Sequence, residues 1–180
     1  MAAISASMPQ REPNLLMRLA RRPTALVGLI VIVVVAALSI LAPWIAPYAP
    51  SKLSIANRLT GPSLEHLFGT DDMGRDVFTR VLYSGRTSLS VAVAVVVLAS
   101  LIGVVLGLVS GFFRRADAPI SRLIDAMMAF PDILLAIALV AALGPSATNV
   151  VIALGLVYAP RLARVVRAST LVVRELPYVE

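Results

Sequence analysis

The stretch LSVAVAVVVLASLIGVVLGLVSGFF, Leu89 to Phe113, carries no charged side chain from end to end. A helix rising about 1.5 Å per residue covers ~30 Å of hydrocarbon in ~20 residues, so this run is long enough to cross a bilayer with some tilt. A second uncharged run, Thr24 to Ala46, lies between Pro23 and Pro47. It exceeds the ~7–15 apolar residues of a cleaved signal peptide and has Pro43 where small residues would be wanted, so it reads as an anchor. Ile124 to Leu143 is apolar but interrupted by Asp125 and by Pro131-Asp132, and Gly144-Pro145-Ser146 then makes a tight turn. The last run starts at Val150 and stays uncharged to Pro160, with helical character continuing through Arg161, Arg164 and Arg167 at one-turn spacing. The reading is an all-α, polytopic membrane helix bundle with about four transmembrane helices.

Composition agrees. Of 180 residues, 59% are hydrophobic and 14% charged, against roughly 25% charged in soluble domains. Disorder needs the opposite balance. The absence of cysteine removes disulfides, thiol catalysis and thiolate metal sites. With the amino end in the cytoplasm, Arg11, Arg18, Arg21, Arg22, Arg114, Arg115, Arg122, Arg161, Arg164, Arg167 and Arg174 lie inside. Lys52, Arg58, Arg75, Arg80 and Arg86 lie outside, giving 11 against 5 of the 16 basic residues. That asymmetry is the positive-inside sense, so the net charge of +6 reports topology, not nucleic-acid binding.

Catalysis finds little support. The single histidine, His66, reads as an ordinary surface residue, and no phosphate-binding G-x-x-x-x-G-K-[ST] loop is present. No cofactor is expected on this chain, and energy for uphill movement must come from a partner or an ion gradient. Gly103, Gly107 and Gly111 form a double G-x-x-x-G stripe, a helix-packing signal. Arg122, Asp125, Ala129 and Asp132 fall on one helical stripe, with a kink expected at Pro131. Asp132 lies about 12 Å along a ~30 Å crossing. It either faces a bundle interior or vestibule, or caps the helix restarting after Pro131. Arg161 and Arg164 either snorkel to cytoplasmic headgroups or line a protein interior. Asp125, Asp132, Arg161 and Arg164 are therefore the candidate pathway residues. The outside segment from Pro47 to Ser88 reads as a structured connector, with Gly69 and Gly74 bracketing a turn and a short interfacial helix from Asp76.

His66-Leu67-Phe68-Gly69-Thr70-Asp71 followed by Gly74-Arg75-Asp76 resembles the segment after the first helix in dipeptide/oligopeptide/nickel ABC-importer permeases of the type with a short N-terminal helix domain. Phe130-Pro131, Leu134-Leu135-Ala136-Ile137, Leu143-Gly144-Pro145-Ser146 and Asn149 are similar to that family's core. So are Ala163-Arg164, Arg167, Glu175, Tyr178, Val179 and Glu180. Tyr158 departs from it, standing where relatives often have Trp. The resemblance implies a basic cytoplasmic tail at 1–22, an N-terminal permease domain at 23–65, an external connector at 66–88 and the first part of a six-helix permease core at 89–180. It implies as partners a second, homologous permease subunit, two cytoplasmic ATPase subunits that bind the ATP, and an extracytoplasmic substrate-binding protein, around a chain in the bacterial cytoplasmic membrane. Peptides outrank nickel as the solute. Glu180 stands where the family's ATPase-coupling motif, beginning Glu-Ala-Ala, starts. Members continue beyond that point, so the expectation is a truncated chain unable to engage an ATPase or transport alone. The alternatives are an ion-coupled secondary transporter using Asp132 and a non-transporting fragment.

Overall fold

The computed structural model describes residues 22–175, so nearly all of the basic tail and the coupling-motif candidate Glu180 lie outside the described residues. Among the described residues six helices follow one another: α1 (Pro23–Ile40), α2 (Ala42–Ile45), α3 (Val77–Phe112), α4 (Arg114–Met128), α5 (Asp132–Leu143) and α6 (Ala147–Arg174). No strand occurs among the described residues. The chain divides into two compact units, one ending at Arg86 and the other starting at Thr87.

In the first unit, α1 starts with Pro23 at its first turn, where the ring's missing N–H costs no hydrogen bond. Its face is almost wholly exposed valine, leucine and isoleucine, as expected of a helix solvated by lipid. The connector after it has no regular structure beyond a 3-10 turn at Ile55–Asn57 and one bridge between Thr70 and Asp76. Two glycines fold it. Gly69 and Gly74 adopt φ of +72° and +69°, and a Cβ on Gly74 would lie 1.8 Å from the Ser54 carbonyl oxygen. Both turns thus require glycine. The short interfacial helix expected from Asp76 is instead the first turn of α3, which begins at Val77 and continues unbroken to Phe112.

In the second unit, the glycine stripe on α3 meets α6. A Cβ on Gly103 would lie 2.9 Å from the Ala159 carbonyl oxygen, one on Gly107 2.7 Å from that of Ala163, and one on Gly111 2.6 Å from Thr170 Cβ. Across the seam, a Cβ on Gly155 would lie 2.6 Å from Leu98. Residue numbers rise together along this seam, so α3 and α6 run parallel. The start of α6 is therefore level with about residue 90 of α3, and α4 with α5 must carry the chain back about 33 Å at 1.5 Å per residue. That is one bilayer crossing.

The return path is bent. The expected kink at Pro131 is a 90° break between α4 and α5, so the stripe read from Arg122 to Asp132 is not continuous: Asp132 opens a new helix. Pro131 supplies no N–H and its φ of −59° sits at the N-cap of α5. At the far end, Gly144 (φ +94°) stops α5, and Ser146 caps α6 by accepting the Asn149 N–H at 3.1 Å. Asn149 Nδ2 donates back to the carbonyls of Leu143 and Gly144 at 2.7 and 2.9 Å, closing the turn. Pro160 sits inside α6 without ending it.

Candidate functional site

Four arginines spaced along α6 reach three neighbouring helices. Arg161 pairs with Asp132 at the start of α5. Arg164 NH2 donates to Asp125 Oδ1 on α4 at 2.6 Å. Arg167 grips Asp117 with two bonds, Nε to Oδ1 at 2.6 Å and NH2 to Oδ2 at 2.8 Å. Arg174 NH1 donates to the carbonyl oxygens of Gly111 and Phe112, at 2.9 and 3.4 Å, where the end of α3 has no partners of its own. The ladder exists because Arg161, Arg164 and Arg167 recur every three residues, turning slowly around α6 from α5 toward α4.

All four candidate pathway residues thus meet in two pairs, Asp132–Arg161 and Asp125–Arg164. Arg161 and Arg164 pair with carboxylates of the same unit while their side chains stay 61% and 52% exposed. Asp132 is not the cap of α5: Pro131 holds the N-cap with no side-chain cap bond, and Asp132 stands in the first turn, where negative charge is favoured, paired with Arg161. The elbow around it opens a recess of about 410 Å³ lined by Met128, Ala129, Phe130, Pro131, Asp132, Ile133 and Arg161. A second recess, about 320 Å³, lies beside Asp125, Arg164 and Arg167. Sequence reasoning missed Asp117 and the roles of Arg167 and Arg174. The signal was faint: Asp117 and Asp125 stand eight residues apart, about 80° around α4, and the sequence does not say which helix that side meets.

The connector holds the other polar cluster. His66 is not a surface residue: it is 8% exposed, and its Nδ1 lies 2.9 Å from Oδ1 of the buried Asp76. Asp76 Oδ2 accepts the Thr79 N–H at 2.7 Å, making Asp76 the N-cap of α3. Burial works to raise the Asp76 carboxyl, but the Thr79 N–H and His66 outweigh it and hold the group below its usual range. Asp71 likewise experiences burial, and the N–H groups of Arg75 and Met73 with the guanidinium groups of Arg75 and Arg80 hold it well below the ordinary carboxylate range. Arg75 Nε lies 2.8 Å from Asp71 Oδ2, and Arg80 reaches the same oxygen. Tyr48, Lys52, Glu65, His66 and Asp76 line a recess of about 150 Å³. No group of three or more potential metal ligands exists among the described residues. The arrangement binds the connector to itself and to the head of α3.

Residues 15–62 match the family model described as the N-terminal TM domain of oligopeptide transport permease C, and residues 99–180 match that of the binding-protein-dependent transport system inner membrane component. A Brucella suis biovar 1 protein, provisionally named a peptide transport system permease protein, is 47% identical over 98% of this chain and 61% of its own length. The dipeptide transport system permease protein of Alkalihalophilus pseudofirmus is 45% identical over 95% of this chain and 56% of its own. A glutathione transport system permease protein of Pectobacterium atrosepticum is 38% identical over 91% and 55%. The chain spans about three-fifths of the length of the relatives it matches. Matched in both its anchor and its core, it belongs to the family of binding-protein-dependent transport permeases of the inner membrane.

Proposed function

We propose that this chain belongs to the membrane domain of an ABC-importer permease subunit that moves di- or oligopeptides across the cytoplasmic membrane, with its amino end inside. A second permease subunit, two ATPases and an external substrate-binding protein complete the machine, and ATP is bound by those ATPases. The relatives named for peptide and dipeptide transport support the solute class. The observation that carries the reading against an ion-coupled carrier is the Asp132–Arg161 pair. A carboxylate matched by a permanently charged guanidinium is poorly suited to pick up and release a proton or cation. It suits a fixed joint between helices that move under force applied elsewhere. In this reading Asp125, Asp132, Arg161 and Arg164 hold the elbow beside the solute path, and Glu180 begins the contact with the ATPase.

The test is uptake of a labelled dipeptide in cells deleted for the full-length gene. Restoration by that gene, lost when the partner ATPase cannot hydrolyse ATP, is the expected result. Uptake that persists without the ATPase but collapses on adding a protonophore would favour the ion-coupled alternative.

A further inference from the structure

Seven arginines lie between residues 114 and 174. Four of them are engaged in the ladder of α6. The other three, Arg114, Arg115 and Arg122, are exposed on α4 and make no ion pair or hydrogen bond among the described residues. At 3.6 residues per turn they fall within about 100° of arc on one side of the helix. The buried Ile124 and Asp117, which faces α6, lie beyond the Arg114 edge of this arc, and Asp125, whose charge is matched by Arg164, falls within it.

The ladder also fixes how α4 lies. From Asp117 to Asp125 the helix advances about 12 Å, but their partners Arg167 and Arg164 are only about 4.5 Å apart along α6. Thus α4 crosses α6 steeply, while α5 turns 90° from it to make the upright part of the return. Its depth is fixed too. A Cβ on Gly111 of α3 would lie 3.2 Å from the Arg167 carbonyl oxygen, so α4 sits level with the last turn of α3. There the uncharged run ends, and Phe112 and Phe113 form an exposed edge-to-face pair with ring centres 5.3 Å apart. Helix α4 is strongly amphipathic and, taken as a whole, more polar than the spans on either side of it. Lying flat at the end of a span with arginines on its polar side, it has the character of an interfacial helix.

We infer that the Arg114–Arg115–Arg122 arc binds anionic phospholipid headgroups of the leaflet at the C-terminal end of α3. The occupant follows from charge and depth together: three guanidinium groups outside the ladder stand at the hydrocarbon boundary, where each basic side chain is drawn to an anionic lipid surface. The inference concerns the lipid, and holds whatever solute the permease carries.

The chain has no cysteine, so Ala118→Cys places one bimane label within the arc of the full-length permease, reconstituted in vesicles with its partner subunits. Quenching by brominated phosphatidylglycerol is compared with quenching by brominated phosphatidylcholine. A clear preference for the anionic lipid is expected. It should fall roughly fivefold for each Arg→Gln change, since one basic residue near an anionic surface contributes about 1 kcal/mol. Arg→Lys variants should keep most of it, and high salt should weaken it. Soluble glycerol phosphate should not compete, because it lacks the bilayer's surface concentration. If the triple Gln variant does not insert, the single and Lys variants carry the comparison. Equal quenching by both lipids in the wild type, or an unchanged preference in the Gln variants, overturns the proposal. So does quenching by neither lipid until the ATPase subunits are removed, which would assign the arc to a protein partner.

Discussion

At the scale of single residues, the connector depends on two aspartates with different duties. Asp76 caps α3 and is held by His66; Asp71 gathers two backbone N–H groups and two arginines. Replacing Asp76 with Ala should cost about 1 kcal/mol, the usual value of an N-cap, and should leave His66 buried without its partner. Thermal unfolding of the full chain in detergent measures it. Both carboxyls titrate below their ordinary value of 3.8 in the folded chain. Their stabilisation is therefore complete only from about a unit above that value, and is lost as pH falls from there through the lowered folded values. Amide-exchange protection of Gly69 to Asp76 should accordingly decline from about pH 5 downward, and Asp71→Asn should flatten that decline. Among the ladder pairs, exposure decides which matters more. Arg164 and Asp125 are 52% and 67% exposed and share one bond, whereas Arg167 and Asp117 are 30% and 31% exposed and share two. An exposed pair contributes about 0–1 kcal/mol, so Asp117→Asn should lower the unfolding temperature more than Asp125→Asn. The arginine spacing was legible in the sequence. Their partners were not, because whether Asp117 or Asp132 reaches α6 depends on the 90° break, and a proline in a sequence gives a kink without its size or direction. His66 was misread for a related reason. Its burial comes from Asp76, ten residues away, through two turns that need positive φ.

Helices α3 and α6 form the seam on which the second unit is built. The Gly103–Gly107–Gly111 stripe was legible as a packing face, but a stripe does not name its mate. The mate, Gly155, Ala159 and Ala163, has the same four-residue spacing and is buried; its signal is weaker because alanine is common in any helix. Substituting Gly107 tests the seam. A methyl group there would lie 2.6 Å from Val166 Cβ and 2.7 Å from the Ala163 carbonyl oxygen, both fixed to backbone. Gly107→Ala should therefore destabilise by about 1–3 kcal/mol, as overpacking generally does, and Gly107→Leu by more. Gly28 in α1 has nothing within 4 Å of its would-be Cβ. Gly28→Ala should then be neutral or slightly stabilising, since glycine inside a helix costs roughly 0.5–1 kcal/mol relative to alanine. Protease resistance of the two variants in the same detergent separates the seam from a general intolerance of methyl groups. Loss of stability in both would remove the argument from close packing.

For the whole molecule, the count of crossings is the property on which topology and mechanism both rest. Among the described residues three helices are long and apolar enough to span by themselves, and a fourth crossing exists only if α4 and α5 act together. Hydropathy alone cannot decide this, because α5 has only 12 residues, about 18 Å of helix, and α4 carries charge. The parallel register of α3 and α6 decides it: two parallel helices in sequence need a return between them, and the return measured along the seam is about one bilayer thick. Labelling by a membrane-impermeant maleimide tests this on three single-cysteine variants of the cysteine-free chain. With the amino end inside, Leu64→Cys in the connector should react from outside, Ala116→Cys at the start of α4 only after the membrane is opened, and Thr148→Cys at the start of α6 from outside again. The third position is the discriminating one. If Thr148→Cys shares the side of Ala116→Cys, α4 and α5 form a re-entrant loop, and α6 would have to run opposite to α3. That arrangement would break every glycine contact along the seam, from Leu98–Gly155 to Gly111–Thr170.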